Sequence, residues 1–164
     1  MPTLKGLNRV WLGLLLMSTY TQVLYHIIFS TKNRIRCLSE DNRPELFRYI
    51  SGIIKNKGCH LYQINGIEDH LHILTDLHPS INLSDFIKDI KVASSIWIKQ
   101  NKPFLRFSGW QDGYAAFTYS IKDKDNIITY IKKQPEHHRQ KTFIEELREV
   151  LIESDIQFDE KYII

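Results

Sequence analysis

The chain has 164 residues, of which 43% are hydrophobic and 25% are charged. This composition is typical of one folded domain and argues against a disordered chain or a repeat array. The formal net charge of +3 is compatible with an acidic partner such as nucleic acid, but it excludes a histone-like basic excess. Cys37 and Cys59 have no metal-type spacing, so we expect reduced thiols in a cytoplasmic protein.

The N-terminal residues combine two basic side chains with a short apolar run from Val10 to Met17. This run is shorter than the roughly 20 residues that cross a membrane, and no small-residue cleavage site follows it. We therefore expect neither a membrane span nor a secretion signal. Since Met17 is followed directly by strand-like sequence, residues 1–16 are predicted to be an upstream extension, disordered or non-native, and residues 17–164 a single domain.

The first half of that domain predicts a strand, a helix and a hairpin. Residues 20–31 are rich in β-branched and aromatic side chains and lack Gly and Pro, which is typical of a buried strand. A helical pattern opens at Ser39 and stops near Gly58. Two strand-like runs follow, at residues 59–64 and 70–77, and the short polar turn between them predicts a hairpin.

The second half predicts another helix, a strand and a third helix. Asn82 is a suitable cap for the second helix, which should end near Pro103. Residues 107–120 form a further strand-like segment that contains a Gln-Asp-Gly turn. Asp123 or Asp125 then introduces the third helix through the sequence NIITYIKKQ.

The C-terminal part predicts two further features. Pro135 marks the end of the third helix or a kink in it, and a last amphipathic helix carries Phe143, Leu147 and Leu151 on its apolar side. The order β-α-β-β-α-β followed by helices predicts an α+β fold of the ferredoxin-like split βαβ type. We expect an antiparallel sheet with helices on one face, followed by a helix that bears a tyrosine.

Two histidines alternate in the segment DHLHIL, at His70 and His72. Because side chains alternate along a strand, both imidazoles project from the same face and lie close enough to hold one cation. An isolated pair of this kind is more often half-buried and hydrogen-bonded or simply solvated. A metal site needs at least one more ligand, and Glu68 and Asp69 adjoin the pair but lie in the turn.

Other polar residues cluster near the end of the third helix. His137 and His138 are consecutive, so in a helix they point in directions about 100° apart and are not expected to act as a pair. Gln134 lies four residues after Tyr130 and therefore on the same side of the helix.

These segments together resemble a known family. DHLHIL resembles the His-hydrophobic-His motif of the HUH nucleases. YIKKQPEHH resembles the tyrosine-helix signature of the single-tyrosine transposases of small bacterial insertion sequences and of their repetitive-palindrome-associated relatives. The similarity extends over nearly all of residues 17–164 and includes YHIIFSTKNR, WQDGYAAFTYS, KTFIEEL and FDEKY. A His-x-His motif alone is weakly specific, whereas all these segments in this order are strongly specific.

The resemblance implies a role for each motif residue. His70 and His72 would bind Mg²⁺ or Mn²⁺, Gln134 would be the third ligand, and Tyr130 would be the nucleophile. A tyrosine hydroxyl with a pKa of about 10 is a poor nucleophile at neutral pH, so it needs help in losing its proton and an activated electrophile. A divalent cation on a scissile phosphate oxygen activates the electrophile.

Two features of this ligand set leave alternatives. Pro135 directly follows Gln134 and disfavours α geometry at that glutamine, so Glu68, Asp69 or water could complete the shell instead. Two imidazoles suit Mn²⁺ or a later transition metal, whereas cellular supply favours Mg²⁺.

The resemblance further implies a metal-dependent transesterase, a transposase, that cleaves and rejoins single-stranded DNA at hairpin-marked ends through a 5′-phosphotyrosine intermediate. It implies a homodimer whose sheets join and in which Tyr130 of one subunit serves the histidines of the other. An alternative is a domesticated protein that binds or processes DNA hairpins without transposition. A structural metal site in an unrelated ferredoxin-like module would leave Tyr130 unexplained.

Basic residues near the end of the first strand and on the tyrosine helix are candidate contacts for the DNA backbone. Lysines on a helix are also common on ordinary solvated faces, so each contact remains an expectation. The candidates are Lys32, Arg34, Arg36, Lys132 and Lys133.

Overall fold

The computed structural model describes residues 20–138 and 141–163, so the predicted extension at residues 1–16 lies outside the described residues. The strands are β1 (Leu24–Ser30), β2 (Leu61–Gly66), β3 (His70–Thr75) and β4 (Ala115–Tyr119). The α-helices are α1 (Arg43–Asn56), α2 (Leu83–Asn101), α3 (Lys124–Lys132), α4 (Gln134–His137) and α5 (Phe143–Glu153). Short 3-10 helices at Lys32–Arg34, Ile121–Asp123 and Glu160–Tyr162 join these elements or close the chain.

The four strands form one antiparallel sheet in the order β2-β3-β1-β4. The central strand β1 is almost fully buried, as its β-branched and aromatic sequence predicts. Together with the two helices that connect the strands, this order confirms the α+β ferredoxin-like prediction.

The two faces of the sheet pack against different helices. On one face, the core contains residues from β1 and β3 and the apolar stripes of α1 and α2. Its main members are Ile27, Phe29, Leu71, Ile73, Leu46, Ile50, Ile54, Phe86, Ile87 and Ile90. On the opposite face, Leu24 and Leu74 pack against Ile131 of α3. The histidine-bearing face of β3 therefore lies under the tyrosine helix.

Two predicted element boundaries were wrong. The first helix begins at Arg43, after the cap residue Asn42, and not at Ser39, because Pro44 has no backbone N–H and is best accommodated in the first turn. The strand-like segment 107–120 contributes only β4, since Gly113 adopts a left-handed φ of 79° in the turn before it. In the described part of the chain, no helix combines the length and apolarity needed to cross a membrane.

Candidate active site

The hairpin of β2 and β3 presents His70 and His72 on the face that α3 covers. Both histidines are fully buried. The hairpin is tight at its end, where a Cβ on Gly66 would lie only 2.2 Å from the carbonyl oxygen of His70. Arg43 of α1 donates a hydrogen bond to the carbonyl oxygen of Gly66 at 3.1 Å. The start of β3 is thereby fixed, and His70 with it.

Helix α3 is held on β2 and β3 in a way that places Tyr130 beside the histidines. Ile131 is fully buried against the sheet. The side-chain amide of Asn65 in β2 donates hydrogen bonds of 3.0 Å to the carbonyl oxygens of Ile131 and Lys132, two of the carbonyls that a helix end leaves without partners. The ring centroid of Tyr130 lies 6.0 Å from that of His72 in the same chain.

Gln134 is fully buried and begins helix α4, with Pro135 in its first turn. Helix α3 ends at Lys132 and Pro135 lies in the first turn of the next helix, so the helical segment is interrupted close to the end or kink that the sequence predicts at this proline. The Gln134 amide donates a hydrogen bond of 2.7 Å to Glu146, and the Tyr130 hydroxyl donates to the same carboxylate oxygen. The predicted side-by-side placement of Tyr130 and Gln134 is therefore present.

Glu146 enters this cluster from helix α5. A capping box between Thr142 and Glu145 fixes the first turn of that helix. The ring of Phe143 lies 4.5 Å from the ring of His70, which docks the same turn over β3. The Glu146 carboxylate is buried as a result, and its Oε2 atom lies 3.7 Å from Nε2 of His70 and 3.6 Å from Nε2 of His72.

His138 supports Glu146 from the turn before α5. Its Nε2 atom lies 2.8 Å from the Glu146 carboxylate, and its Nδ1 atom lies 2.9 Å from the carbonyl oxygen of Lys141. Both ring nitrogens face acceptors, so the doubly protonated imidazolium satisfies both contacts. Although burial opposes the charge, the hydrogen bond to Glu146 raises the pKa of His138.

Three of the predicted ligand atoms share an unusual property. Nε2 of His70, Nε2 of His72 and Oε1 of Gln134 are buried and have no hydrogen-bond partner among the residues that the structure describes. Buried polar atoms are normally paired, so these three suggest a missing partner. A cation fits this set, because all three atoms offer lone pairs when the histidines are neutral with protons on Nδ1. Nδ1 of His26, on the ring beside His72, is a fourth atom of this kind among the described residues.

The opposite nitrogens of the two histidines have different partners. Nδ1 of His70 lies 2.6 Å from the Asp69 carboxylate, and Nδ1 of His72 lies 2.9 Å from Nε2 of His26 in β1. Burial lowers the pKa of His26 to about 3 and that of His72 to about 4, so both rings are neutral at pH 7. A neutral imidazole is the form that binds metals.

Charge in the cluster is concentrated on Glu146. Although burial opposes ionisation, the hydrogen bond from His138 and the nearby His72 hold the pKa of the Glu146 carboxyl far below its usual range. Burial and this carboxylate together raise the pKa of Tyr130 above that of an ordinary tyrosine. In the geometry of the single chain, the tyrosine is therefore held in its neutral form.

Comparison with known proteins identifies the family. The family model described as "Transposase IS200 like" matches residues 19–134, which include both histidines, Tyr130 and Gln134. The chain belongs to the IS200-like transposases. It is thus an enzyme of the HUH single-tyrosine class.

This IS200-like transposase is similar to two named transposases over most of each protein. It is 26% identical to the transposase of insertion sequence IS200 from Salmonella typhimurium over 120 residues, which cover 70% of this chain and 78% of the relative. It is 27% identical to the ISDra2 transposase TnpA of Deinococcus radiodurans over 118 residues, which cover 69% of this chain and 84% of that protein.

Two solved structures share its fold. A crystal structure from Deinococcus radiodurans, of a protein assigned as a transposase, superimposes with a TM-score of 0.57 at 26% identity and covers 71% of this chain and 95% of the other. A REP-associated tyrosine transposase bound to a REP hairpin superimposes with a TM-score of 0.56 at 18% identity, with 74% of each chain covered.

Sequence reasoning about this transposase missed Glu146 and treated His138 only as a member of a histidine pair. His70, His72, His138 and Glu146 each offer a ligand atom, and these atoms lie within 4.8 Å of one another. Both missed residues lie beyond residue 134, outside the matched region. One signal was available, because Glu146 lies three residues after Phe143 on the apolar side of its helix, where a carboxylate is unusual.

The candidate DNA contacts of the transposase lie on its surface. Lys32 and Arg36 are exposed near the end of β1, and Arg36 pairs with Glu68 at 3.1 Å. Arg34 is half-buried and donates a long hydrogen bond of 3.5 Å to a carbonyl oxygen in the C-terminal tail. Lys132 is the last residue of the tyrosine helix and Lys133 follows it, and both are exposed.

Proposed function

We propose that this transposase is a metal-dependent transesterase that cleaves and rejoins single-stranded DNA at hairpin-marked ends through a 5′-phosphotyrosine intermediate. One observation carries the proposal. The Tyr130 hydroxyl, the side-chain amide nitrogen of Gln134 and the orphan Nε2 atoms of His70 and His72 all lie close to the carboxylate of Glu146. A nucleophile and a cation site are thus adjacent in one buried cluster.

His70 and His72 would hold the cation through Nε2, with Gln134 as the third ligand. Glu146 adds an anionic oxygen, because two ligand atoms about 2.1 Å from one ion lie about 3.0–3.5 Å apart, close to its 3.6 and 3.7 Å distances from the histidines. Two imidazoles with a carboxylate suit Mn²⁺ and tolerate Mg²⁺. The cation would stabilise the charge that develops on the scissile phosphate.

Tyr130 supplies the attacking oxygen. Its hydroxyl would lose its proton and attack the phosphorus, the bond from phosphorus to the 3′ oxygen would break, and the departing 3′ oxygen would take up one proton, so that no proton is gained or lost overall. Glu146 accepts the hydrogen bond from Tyr130 and lies beside the histidines, so it is placed to orient the hydroxyl before attack. The phosphotyrosine bond retains the energy of the broken bond, and a later hydroxyl attack can rejoin DNA without ATP.

The basic surface residues would bind the DNA backbone. Arg36 and Lys141 line a cleft of about 270 Å³ at the edge of the cluster, together with Asp69, His138 and Glu145, so two basic side chains lie within reach of a DNA backbone there. We propose that Lys32, Arg34, Lys132 and Lys133 extend this surface. The hairpin bound by the REP-associated structural neighbour supports a hairpin as the DNA form recognised.

We also propose a homodimer with a shared active site, as the family resemblance implies. Strand β4 is an edge strand of the sheet, so its outer side can pair with the same strand of a second copy. In the single chain, Tyr130 lies beside its own histidines, so sharing would require α3 to exchange between subunits.

Cleavage of a labelled single-stranded hairpin in the presence of Mn²⁺ tests the function. We expect products with a free 3′-hydroxyl that disappear on chelation and in the His70→Ala and His72→Ala variants. His60→Ala is a matched control, because His60 is exposed and lies outside the cluster. Cleavage that persists after chelation, or in both variants of the cluster histidines, would contradict a metal-dependent reaction.

A further inference from the structure

The imidazole of His26 forms a direct contact with a predicted metal ligand. His26 and His72 lie on the central strands β1 and β3, and both are fully buried. Nε2 of His26 is 2.9 Å from Nδ1 of His72, and the two rings stack at 5.1 Å with an angle of 27°. This hydrogen bond leaves Nε2 of His72 pointing into the cluster without a partner among the described residues.

One proton must lie between these two nitrogens, and its position decides whether His72 can bind a metal. If the proton is on Nδ1 of His72, then Nε2 of His72 carries a lone pair and can act as a ligand. If His26 donates instead, Nε2 of His72 must carry the remaining proton and cannot bind a cation. Metal binding therefore requires Nε2 of His26 to be the acceptor. The proton of the neutral His26 ring then lies on Nδ1, which is buried and has no hydrogen-bond partner among the described residues.

The surroundings of the pair leave no evident substitute for this acceptor. The rings of Phe117, Tyr119 and Tyr130 lie 6.0–6.3 Å from that of His26 and enclose it. A side chain without an acceptor at this position would leave a buried N–H of His72 unpaired, which is costly in an apolar setting. His70 has the same kind of support from a carboxylate, since its Nδ1 atom contacts Asp69.

We propose that His26 is a positioning residue that accepts the Nδ1 proton of His72 and so fixes the tautomer in which Nε2 of His72 binds the metal. The inference rests on the proposed function, because it assigns His72 as a ligand. It gives β1 a role in the active site beside the role of β3. Removal of such a partner typically lowers metal affinity by about 10- to 100-fold.

Calorimetric titration of the purified protein with Mn²⁺ measures the affinity directly. We expect His26→Phe, which keeps a ring but removes the acceptor, to bind Mn²⁺ about 10- to 100-fold more weakly than the wild type. His26→Gln, whose amide oxygen can accept the proton, should recover most of this loss. His60→Phe, the same change outside the cluster, should bind as the wild type does, and thermal unfolding checks that each variant is folded.

Nitrogen-15 spectra of the wild type, with Zn²⁺ as a diamagnetic probe, show the tautomer without any substitution at position 26. We expect His72 to carry its proton on Nδ1 and His26 to carry none on Nε2. Equal Mn²⁺ affinity in the wild type and His26→Phe, or a proton on Nε2 of metal-loaded His72, would overturn the inference and leave the proposed function standing. A wild type that binds neither ion would overturn both.

Discussion

The Glu146 carboxylate accepts a hydrogen bond from the Tyr130 hydroxyl, and its other oxygen lies 3.6 Å from Nε2 of His72. One charged group therefore touches both the proposed nucleophile and a proposed metal ligand. Burial and the negative charge of Glu146 together raise the pKa of Tyr130. A cation at the histidines would offset this charge, so metal binding would lower the pKa of Tyr130 and ease the loss of its proton.

Glu146→Gln should weaken Mn²⁺ binding by about tenfold or more, because it replaces an anionic oxygen ligand with a neutral one. Cleavage at a fixed Mn²⁺ concentration should fall accordingly. Calorimetric titration measures the affinity. Glu149→Gln is a matched control on the same helix, since Glu149 is exposed and pairs with Lys141. Unchanged Mn²⁺ affinity in Glu146→Gln would remove this residue from the ligand set.

Gln134→Ala tests the third ligand that the sequence predicts. The variant loses a buried oxygen that has no partner among the described residues, so we expect Mn²⁺ affinity to fall by about 10-fold and cleavage to require more Mn²⁺. The readout is the Mn²⁺ concentration that gives half-maximal cleavage. Gln100→Ala, an exposed position at the end of α2, serves as the control. If Gln134→Ala and Gln100→Ala need the same Mn²⁺ concentration for half-maximal cleavage, Gln134 is not a metal ligand.

Acid should destabilise the metal-free protein before its carboxylates titrate. An ordinary histidine has a pKa of about 6.5, whereas burial lowers the pKa to about 3 in His26 and about 4 in His72. Below pH 6.5 the unfolded chain binds protons that the folded chain excludes, so the free energy of unfolding falls as pH falls. Each histidine contributes at most about 1.4 kcal/mol per pH unit. His138, whose pKa is raised, adds the opposite slope only above pH 6.5.

Urea unfolding midpoints between about pH 6.5 and 5 measure this slope. In His26→Phe one of the two groups is absent, so the midpoint should depend on pH about half as steeply. An identical slope in the variant and the wild type would show that His26 does not exclude protons in the folded state.

Mixing two inactive variants tests the proposed shared site. A Tyr130→Phe subunit retains the histidines, and a His70→Ala subunit retains the tyrosine. If each active site combines residues of two subunits, mixed dimers should recover cleavage that neither variant has alone. The control mixes the Tyr130→Phe subunit with a subunit that carries both substitutions. This mixture contains no intact tyrosine and should stay inactive. If mixing restores nothing, the arrangement within one chain is the working one.

The sequence predicts much of the site because its strongest signals are local. Alternation in β3 places His70 and His72 on one face. A spacing of four predicts that Tyr130 and Gln134 lie side by side, and both contact Glu146 although they lie on two consecutive helices. Glu146 has no local relation to β3. Its place on the apolar side of α5 marks it as unusual, but it reaches the histidines only because α5 docks over the sheet, and the sequence pattern does not say which residues that docking brings together. His26 is similar, since its contact depends on the pairing of β1 with β3.

In the fold, too, the features with local sequence signals were predictable and those set by tertiary packing were not. The alternation of strands and helices predicts the ferredoxin-like order, and the cap at Asn82 predicts the start of α2, where the Asn82 side chain accepts from the backbone of Asp85. The limits of β4 were not predictable from residue types, because aromatic residues continue through the turn that precedes it. Trp110, for example, is buried against Phe29 and is not part of that strand.

Identification of the residue that becomes linked to DNA tests the central claim most directly. A labelled single-stranded hairpin is incubated with the protein and Mn²⁺, and the covalent adduct is digested with nuclease and trypsin and analysed by mass spectrometry. We predict a nucleotide phosphate on the peptide DNIITYIK, residues 125–132, whose only tyrosine is Tyr130, and no adduct in Tyr130→Phe. A nucleotide on any other peptide, or an adduct that persists in Tyr130→Phe, would contradict the account.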